Sequence, residues 1–125
     1  MKVSRPEIKH SDERGEIIDI LSKEAVEYAT LIHSVKGAVR GNHFHKETLQ
    51  WIYLISGKLE VRYRMPGDPV QSRVIEAGEV FLNEILEHHA VEALEDSTFM
   101  VFTRGPRGGD DYERDTFRLA EPLEA

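Results

Sequence analysis

The chain has 125 residues, enough for one domain with a real hydrophobic core and too few for two, so we expect a single domain over residues 1–125. Its formal net charge of -7 argues against nucleic-acid binding and acidic-membrane binding, because both need a basic surface. There is no cysteine, which excludes disulfides, a thiolate nucleophile and sulfur-ligated zinc. Neither a signal-peptide pattern nor a long apolar run is visible, and we expect a cytoplasmic protein.

Short apolar segments separated by turns run along the chain. Residues 49–56 are apolar on both faces, which predicts a strand buried on both sides. Residues 58–65 alternate between apolar and charged side chains, which predicts a half-solvated strand. Residues 22–28 fit either a short helical turn or a loop. The other predicted strands are 16–21, 30–35, 70–75, 80–83, 98–103 and 116–119. Many short strands without a long helix indicate an all-β sandwich or barrel.

Two histidines carry the most unusual chemistry of the sequence. His43 and His45 are separated by one residue, and on a strand such a pair points to the same face. Gln50 follows at the head of an apolar strand, so a turn can bring three polar side chains together inside an apolar wall. Imidazoles serve both as metal ligands and as bases near neutral pH, and the residues alone leave both uses open. His33 has no partner at a fixed spacing, and we expect a packed core or cleft-edge histidine there.

The same stretch resembles the first motif of the cupins. Gly37, His43, His45, Gln50 and Gly57 have every spacing of that motif, with glutamine where the commonest version has glutamate. Cupins are double-stranded β-helices, that is, small jelly-roll barrels. The resemblance therefore implies an all-β fold of this kind.

The second cupin motif is matched more weakly, by Gly78 and His89. His89 stands where the motif has its third histidine, whereas His88 should face the opposite way on a strand. In metal-binding cupins the motif residues hold an ion, which here implies zinc, nickel, manganese or iron. The implied ligands are His43, His45, Gln50 and His89.

Other segments narrow the resemblance to RmlC-like cupins that act on nucleotide-linked sugars. Residues 12–15 (Asp-Glu-Arg-Gly) and 94–97 (Leu-Glu-Asp-Ser) are similar to the dTDP-4-dehydrorhamnose 3,5-epimerases. Residues 40–46, together with Gln50 and residues 111–112, are similar to the dTDP-4-keto-6-deoxyglucose 3,4-ketoisomerases. Those ketoisomerases also carry glutamine in the first motif and work without metal, so the resemblance implies that no cofactor is required.

The first hypothesis is an isomerase or epimerase acting on a nucleotide-linked 4-keto-6-deoxy sugar. Removing a proton from the carbon beside a ketone requires a base, and the enolate oxygen that forms requires a hydrogen-bond donor. His43 and His45 in an apolar barrel suit these two roles. Burial would favour the neutral, basic imidazole. Arginine forks fit phosphate oxygens. The candidate diphosphate-binding residues are Arg40, Lys46, Arg62 and Arg64.

Two other hypotheses stay open. One is a metal-binding cupin of other small-molecule chemistry, and the other is a sugar-binding barrel without catalysis. The second gains weight because tyrosines that the two enzyme families carry are replaced here, by residues 99–102 (Phe-Met-Val-Phe) and by Thr30 and Leu31. Exposed edge strands commonly pair with a copy of the same chain, so we expect a homodimer.

Overall fold

The computed structural model describes residues 1–106 and 113–124. Within those residues the chain forms twelve β-strands, and every strand pair is antiparallel. The strands are β1 (Lys2–Ser4), β2 (Ile8–Asp12), β3 (Gly15–Ile18), β4 (Tyr28–Ser34), β5 (Val39–Phe44), β6 (Leu49–Ser56), β7 (Lys58–Arg64), β8 (Gln71–Glu76), β9 (Val80–Asn83), β10 (His88–Ala93), β11 (Ser97–Arg104) and β12 (Phe117–Arg118). No helix in these ranges has the length and apolar character to cross a bilayer.

Two five-stranded sheets make up the barrel. The first sheet has the order β1-β9-β6-β11-β4, and the second has the order β12-β5-β10-β7-β8. Apolar side chains from both sheets form the core between them. Its buried members are Ile52, Leu54, Leu59, Val61, Ile75, Phe81, Ala93, Phe99 and Val101. The all-β barrel predicted from the sequence is confirmed.

The two central hydrophobic segments behave as their patterns predict. In β6, Trp51, Ile52 and Leu54 are buried, so this strand is covered on both faces over most of its length. In β7, Leu59 and Val61 are fully buried while the charged residues between them are partly exposed. Alternation therefore fixes which face of β7 meets the core.

The N-terminal region differs from the sequence-based expectation. Strands β1 and β2 were not predicted, because their residues are mostly polar and exposed and carry no alternation. Strand β3 ends at Ile18 rather than at residue 21, and residues 22–27 form no helix. β2 and β3 pair only with each other, as a hairpin outside both large sheets.

The expectation for His33 was wrong. On β4 the side chains of Ile32 and Ser34 point inward, so His33 points outward and is exposed. Its Nδ1 lies 3.0 Å from the hydroxyl of Thr98 on the neighbouring strand. The alternation of residues predicted a strand correctly, but it did not indicate which face of β4 points into the core.

The C-terminal segment returns across β5. Phe117 and Arg118 pair with Phe44 and His43, which makes β12 the edge strand expected near residues 116–119. Further along, the backbone N–H of Leu123 donates to the side-chain oxygen of Asn42. Leu123 itself is buried, so this segment is attached at both ends.

Candidate active site

A cavity of about 190 Å³ lies between the two sheets. Its wall is mostly apolar, with a small number of polar side chains, which is typical of a small-molecule site. The second sheet contributes Arg40, Gly41, His43, His89 and Val91. The first sheet contributes Ile32, Gln50, Ile52, Asn83, Phe99 and Val101.

Three histidines come together at this cavity. In the β5–β10 pair, His43 and His89 are directly opposite each other, and their ring centroids are 4.7 Å apart. The ring of His45 is 4.8 Å from His43 and 5.4 Å from His89. One nitrogen from each ring lies within 4.8 Å of the other two, so the group has the donor atoms of a three-histidine metal site. The convergence predicted from the two motifs is therefore present.

Backbone carbonyls orient two of these rings. The Nδ1–H of His45 donates to the carbonyl oxygen of Asp115 at 2.8 Å, and that of His89 donates to Glu87 at 3.1 Å. A carbonyl oxygen only accepts, so in the neutral form each ring has its lone pair on Nε2. Burial lowers the pKa of His89 to about 3, with further lowering from His43 and His45. His89 is accordingly neutral at neutral pH.

Asp115 holds the loop that follows His45. Its carboxylate accepts the backbone N–H groups of Lys46, Glu47 and Thr48 at 2.9–3.0 Å, and the hydroxyl of Thr48 at 2.7 Å. Burial raises the pKa of this carboxyl, but the hydrogen bonds from Thr48 and the backbone outweigh it and lower the pKa. Sequence analysis missed Asp115, because a lone aspartate far along the chain has no spacing signal.

Gly41 allows β5 to approach β10 closely. A side chain at this position would place its Cβ only 2.8 Å from the carbonyl oxygen of His89, and the residue has a φ of +96°. Both conditions favour glycine. The close approach brings His43 opposite His89, so Gly41 helps to position the two histidines.

Arg40 reaches the cavity although its residue is exposed, which places it at the rim. Its Nε donates to the hydroxyl of Ser34 at 2.8 Å. This bond fixes one edge of the guanidinium without neutralising its charge. Ser34 was not singled out from the sequence, because a serine next to a strand end is common and unspecific.

The other candidate diphosphate-binding residues are not among the residues that line the cavity. Arg62 donates to Glu92 at 2.6 Å and lies 3.3 Å from Glu60. Arg64 donates from Nε to Nδ1 of His88 at 3.3 Å. Both arginines are on the face of β7 opposite the core residues, where partners within the chain already occupy them.

Lys46 also lies away from the cavity lining. Its Nζ is 4.4 Å from the centre of the Phe117 ring, and the residue is exposed. It lies in the loop after β5, where its backbone N–H donates to the carboxylate of Asp115. The similarity at residues 111–112 lies outside the residues that the structure describes.

Strands β4 and β11 contribute an apolar part of the cavity wall. Phe99 and Val101 of β11 and Ile32 of β4 line it, while Met100 and Phe102 lie on the alternate positions. Among the described lining residues there is no tyrosine, aspartate or glutamate.

Asn83 is a lining residue that the sequence analysis did not single out. It ends β9 and pairs in register with Gln50 of β6. Both side chains are buried, on the sheet opposite His43 and His89. Asparagine is common near strand ends and in turns, so its sequence position gave no signal.

Solved structures share this fold at low sequence identity. A 3,4-ketoisomerase from Helicobacter canadensis aligns with a TM-score of 0.78 and 19% identity, covering 94% of this chain and 90% of its own. The dTDP-4-dehydrorhamnose 3,5-epimerase from Sulfolobus tokodaii aligns at 0.73 and 18%, covering 91% and 73%. The capsular polysaccharide assembling protein CapF from Staphylococcus aureus aligns at 0.66 and 21%, covering 88% of this chain and 33% of CapF. The fold is therefore that of an RmlC-like cupin.

A search of curated protein sequences finds no match to this chain. A family model for the polysaccharide biosynthesis C-terminal domain matches residues 10–107, which is more than half of the chain. The matched region contains all three clustered histidines together with Arg40, Gln50 and Asn83. The chain belongs to the polysaccharide biosynthesis C-terminal domain family.

Proposed function

We propose that this protein is an isomerase or epimerase that acts on the sugar of a nucleotide-linked 4-keto-6-deoxy sugar. The observation that carries the proposal is the histidine cluster, of which His43 and His89 line an otherwise largely apolar cavity. The fold supports it, because structural neighbours include a 3,4-ketoisomerase and a 3,5-epimerase. A further structural neighbour, a variant of a 3,4-ketoisomerase from Thermoanaerobacterium thermosaccharolyticum, was solved in complex with TDP-4-keto-6-deoxyglucose.

The size of the cavity divides such a substrate into two parts. Pockets for drug-sized ligands enclose about 300–1,000 Å³. The cavity here has about 190 Å³, which suits a sugar ring but not the nucleotide attached to it. The nucleotide would remain outside the rim, where Arg40 is in place to bind the diphosphate.

The proposed chemistry begins with removal of the proton beside the ketone. His43 is the proposed base, because it is partly exposed and lines the cavity. The electron pair of the broken C–H bond moves to the carbonyl oxygen, and the Gln50 amide is in position to donate a hydrogen bond to that oxygen. Delivery of a proton from water to the opposite face of the same carbon gives an epimer, and His43 then releases the proton that it removed to solvent. Return of the proton from His43 to the former carbonyl carbon, with transfer of the neighbouring hydroxyl proton to the enolate oxygen, gives the isomeric ketone.

His45 and His89 support this base rather than replace it. Both rings contact His43, and both are oriented by backbone carbonyls. His89 is neutral at neutral pH, so its Nε2 is available as an acceptor and the ring does not compete as an imidazolium acid. His45 is buried behind the lining, so its proposed role is to hold the His43 ring.

The direct test is exchange of substrate hydrogen with solvent. The protein is incubated with dTDP-4-keto-6-deoxyglucose in deuterated water, and deuterium at the carbon beside the ketone is followed by NMR. We expect exchange by the wild type and a loss of about a hundredfold or more in His43→Asn. His33→Asn is the matched control, because His33 is exposed on the outer face, and it should exchange at the wild-type rate.

Two outcomes would contradict the proposal. Absence of exchange by the wild type across several nucleotide-linked keto sugars would remove the isomerase or epimerase activity. Binding of those sugars without exchange would instead favour a sugar-binding barrel that has no catalytic step.

A second candidate function is a metal-binding cupin, which the spacing of the three histidine nitrogens favours. Two rings already have the Nδ1–H···O=C bond that commonly orients metal-ligating histidines. Gln50 would add a neutral oxygen, which binds a divalent ion less firmly than glutamate. Zinc–nitrogen bonds of about 2.0–2.1 Å put neighbouring tetrahedral ligands roughly 3.3 Å apart, so the rings would move closer on binding.

A bound divalent ion would polarise the substrate carbonyl as a Lewis acid. Elemental analysis of protein purified without a histidine tag decides between the two candidates. About one zinc, nickel, manganese or iron per chain, lost in His89→Asn and kept in His33→Asn, would support the metal site. Metal far below one per chain in the wild type would leave histidine acid/base chemistry as the proposal.

A further inference from the structure

The wall opposite the histidines contains a row of three polar side chains, of which the proposed proton transfer uses only Gln50. Asn83 pairs in register with Gln50, and Gln50 pairs in register with Thr103 on the next strand. All three residues are buried. An apolar residue at each position would continue the core formed by Ile52 and Phe81. Burying polar atoms there instead costs free energy unless they form hydrogen bonds.

Asn83 carries an unused hydrogen-bond acceptor at the cavity. Its side-chain oxygen is buried and has no hydrogen-bond partner among residues 1–106 and 113–124. Buried polar atoms are nearly always paired, and one that is not commonly serves a ligand. Asn83 also lines the cavity, so its side-chain amide lies beside any molecule bound there.

Thr103 offers a comparison within the same row. Its hydroxyl oxygen is likewise buried without a partner among the described residues. It is fully buried and is not among the residues that line the cavity. Both side chains therefore have a buried oxygen without a hydrogen-bond partner, but only Asn83 lines the cavity.

We propose that Asn83 is a specificity-determining residue, whose side-chain oxygen accepts a hydrogen bond from a sugar hydroxyl on the side of the ring that faces away from His43 and His89. The inference rests on the proposed function, since it places the sugar ring between the histidine wall and the Asn83 wall. The site then requires a sugar that has a hydrogen-bond donor, such as a hydroxyl group, opposite the Asn83 oxygen. Sugars that lack the hydroxyl leave the Asn83 oxygen unpaired and bind more weakly.

Calorimetric titration with two probes, TDP and dTDP-4-keto-6-deoxyglucose, tests the inference. We expect Asn83→Leu to bind TDP within about twofold of the wild type, because the nucleotide lies outside the rim. The same variant should bind the sugar nucleotide at least about tenfold more weakly, the usual effect of losing one hydrogen bond. Asn83→Asp keeps the acceptor and should lose less affinity than Asn83→Leu.

Thr103→Val is the matched control, since it removes an unpaired buried hydroxyl that does not reach the cavity. It should leave both affinities unchanged. Asn83→Ala replaces Asn83→Leu if circular dichroism shows that the leucine variant does not fold.

The outcomes separate this inference from the function on which it rests. If the wild type binds and exchanges the sugar nucleotide while Asn83→Leu and Asn83→Ala bind it equally well, the role of Asn83 is overturned and the proposed function stands. If the wild type neither binds nor exchanges it, both are overturned. A selective loss of sugar-nucleotide affinity in the Asn83 variants, with TDP affinity kept, supports the inference.

Discussion

The inner and outer faces of the second sheet use the same residue types in different ways. His88 and His89 are consecutive on β10, yet His89 is buried in the cluster while His88 stacks on Phe44 at 5.0 Å between ring centroids. The inner ring donates to a backbone carbonyl, whereas the outer ring accepts from the side chain of Arg64. Backbone partners fix the tautomer and direction of a ring more firmly than a flexible side chain does.

The arginines repeat this contrast. Arg40, at the cavity rim, is held by the neutral hydroxyl of Ser34 and keeps its charge for a ligand. Arg62, on the outer face, is neutralised by Glu60 and Glu92. Arginines on one face of a strand therefore do not by themselves indicate an anion-binding site, because neighbouring carboxylates can already neutralise them.

Replacing each of the two adjacent histidines should give the largest difference. We expect His89→Asn to reduce solvent exchange of the keto sugar by about a hundredfold, because the variant loses the contact that supports the His43 base. His88→Asn should stay within about twofold of the wild type. Equal losses in both variants would show that the inner face has no special role.

A glycine comparison should give the next largest effect. Gly41→Ala brings a Cβ within 2.8 Å of the His89 carbonyl at a φ of +96°, and we expect it to lower the free energy of unfolding by about 2–3 kcal/mol. Gly67→Ala, at a φ of +88° with no atom within 4 Å, should cost only about 1 kcal/mol. Urea unfolding measures both variants. Similar values would contradict the close approach of β5 to β10.

The two arginines should differ by about tenfold in TDP affinity. Arg40→Met removes the rim charge, and we expect TDP binding to weaken by about that factor, with no loss of stability. Arg62→Met should leave TDP binding unchanged but lower the free energy of unfolding by about 1 kcal/mol, because it leaves Glu92 without its arginine. Loss of TDP affinity in Arg62→Met would place the diphosphate on the outer face instead.

The smallest effect concerns a carboxylate outside both sheets. The side-chain hydrogen bond from Arg14 lowers the pKa of Asp12 to about 2 from 3.8. The folded pKa is depressed, so this pair stabilises the β2–β3 hairpin above pH 3.8 and the stabilisation is lost as the pH falls toward 2. Carboxyl NMR should show titration near pH 2, moving toward 3.8 in Arg14→Ala, with exchange activity unchanged. Titration of wild-type Asp12 at 3.8 would contradict it.

The sequence predicted the barrel and the histidine cluster because both leave local patterns. Period-two alternation separated His88 from His89, and the spacing around His43 and His45 predicted their common face. The charge pattern of β7 predicted that Arg62 and Arg64 share a face, but it could not predict their partners Glu60, Glu92 and His88.

Three other parts of the site could not be predicted from local pattern. Asp115 and Ser34 act through hydrogen bonds to His45 and Arg40, and Asn83 matters through an atom left unpaired. Such relations depend on how strands and loops pack in three dimensions, which no local sequence pattern records. The outward orientation of His33 on β4 could not be predicted either, because alternation alone does not show which side of a strand faces the core.

The central claim is that three imidazoles meet at one cavity, with His89 neutral and with Nε2 as the acceptor atom of His45 and His89. Long-range nitrogen–proton NMR of the histidine rings, on protein treated with a chelator at pH 7, tests it most directly. The account predicts that His89 is neutral and that His45 and His89 both have a proton on Nδ1. A protonated imidazolium at His89, or a ring protonated on Nε2 at either residue, would contradict it.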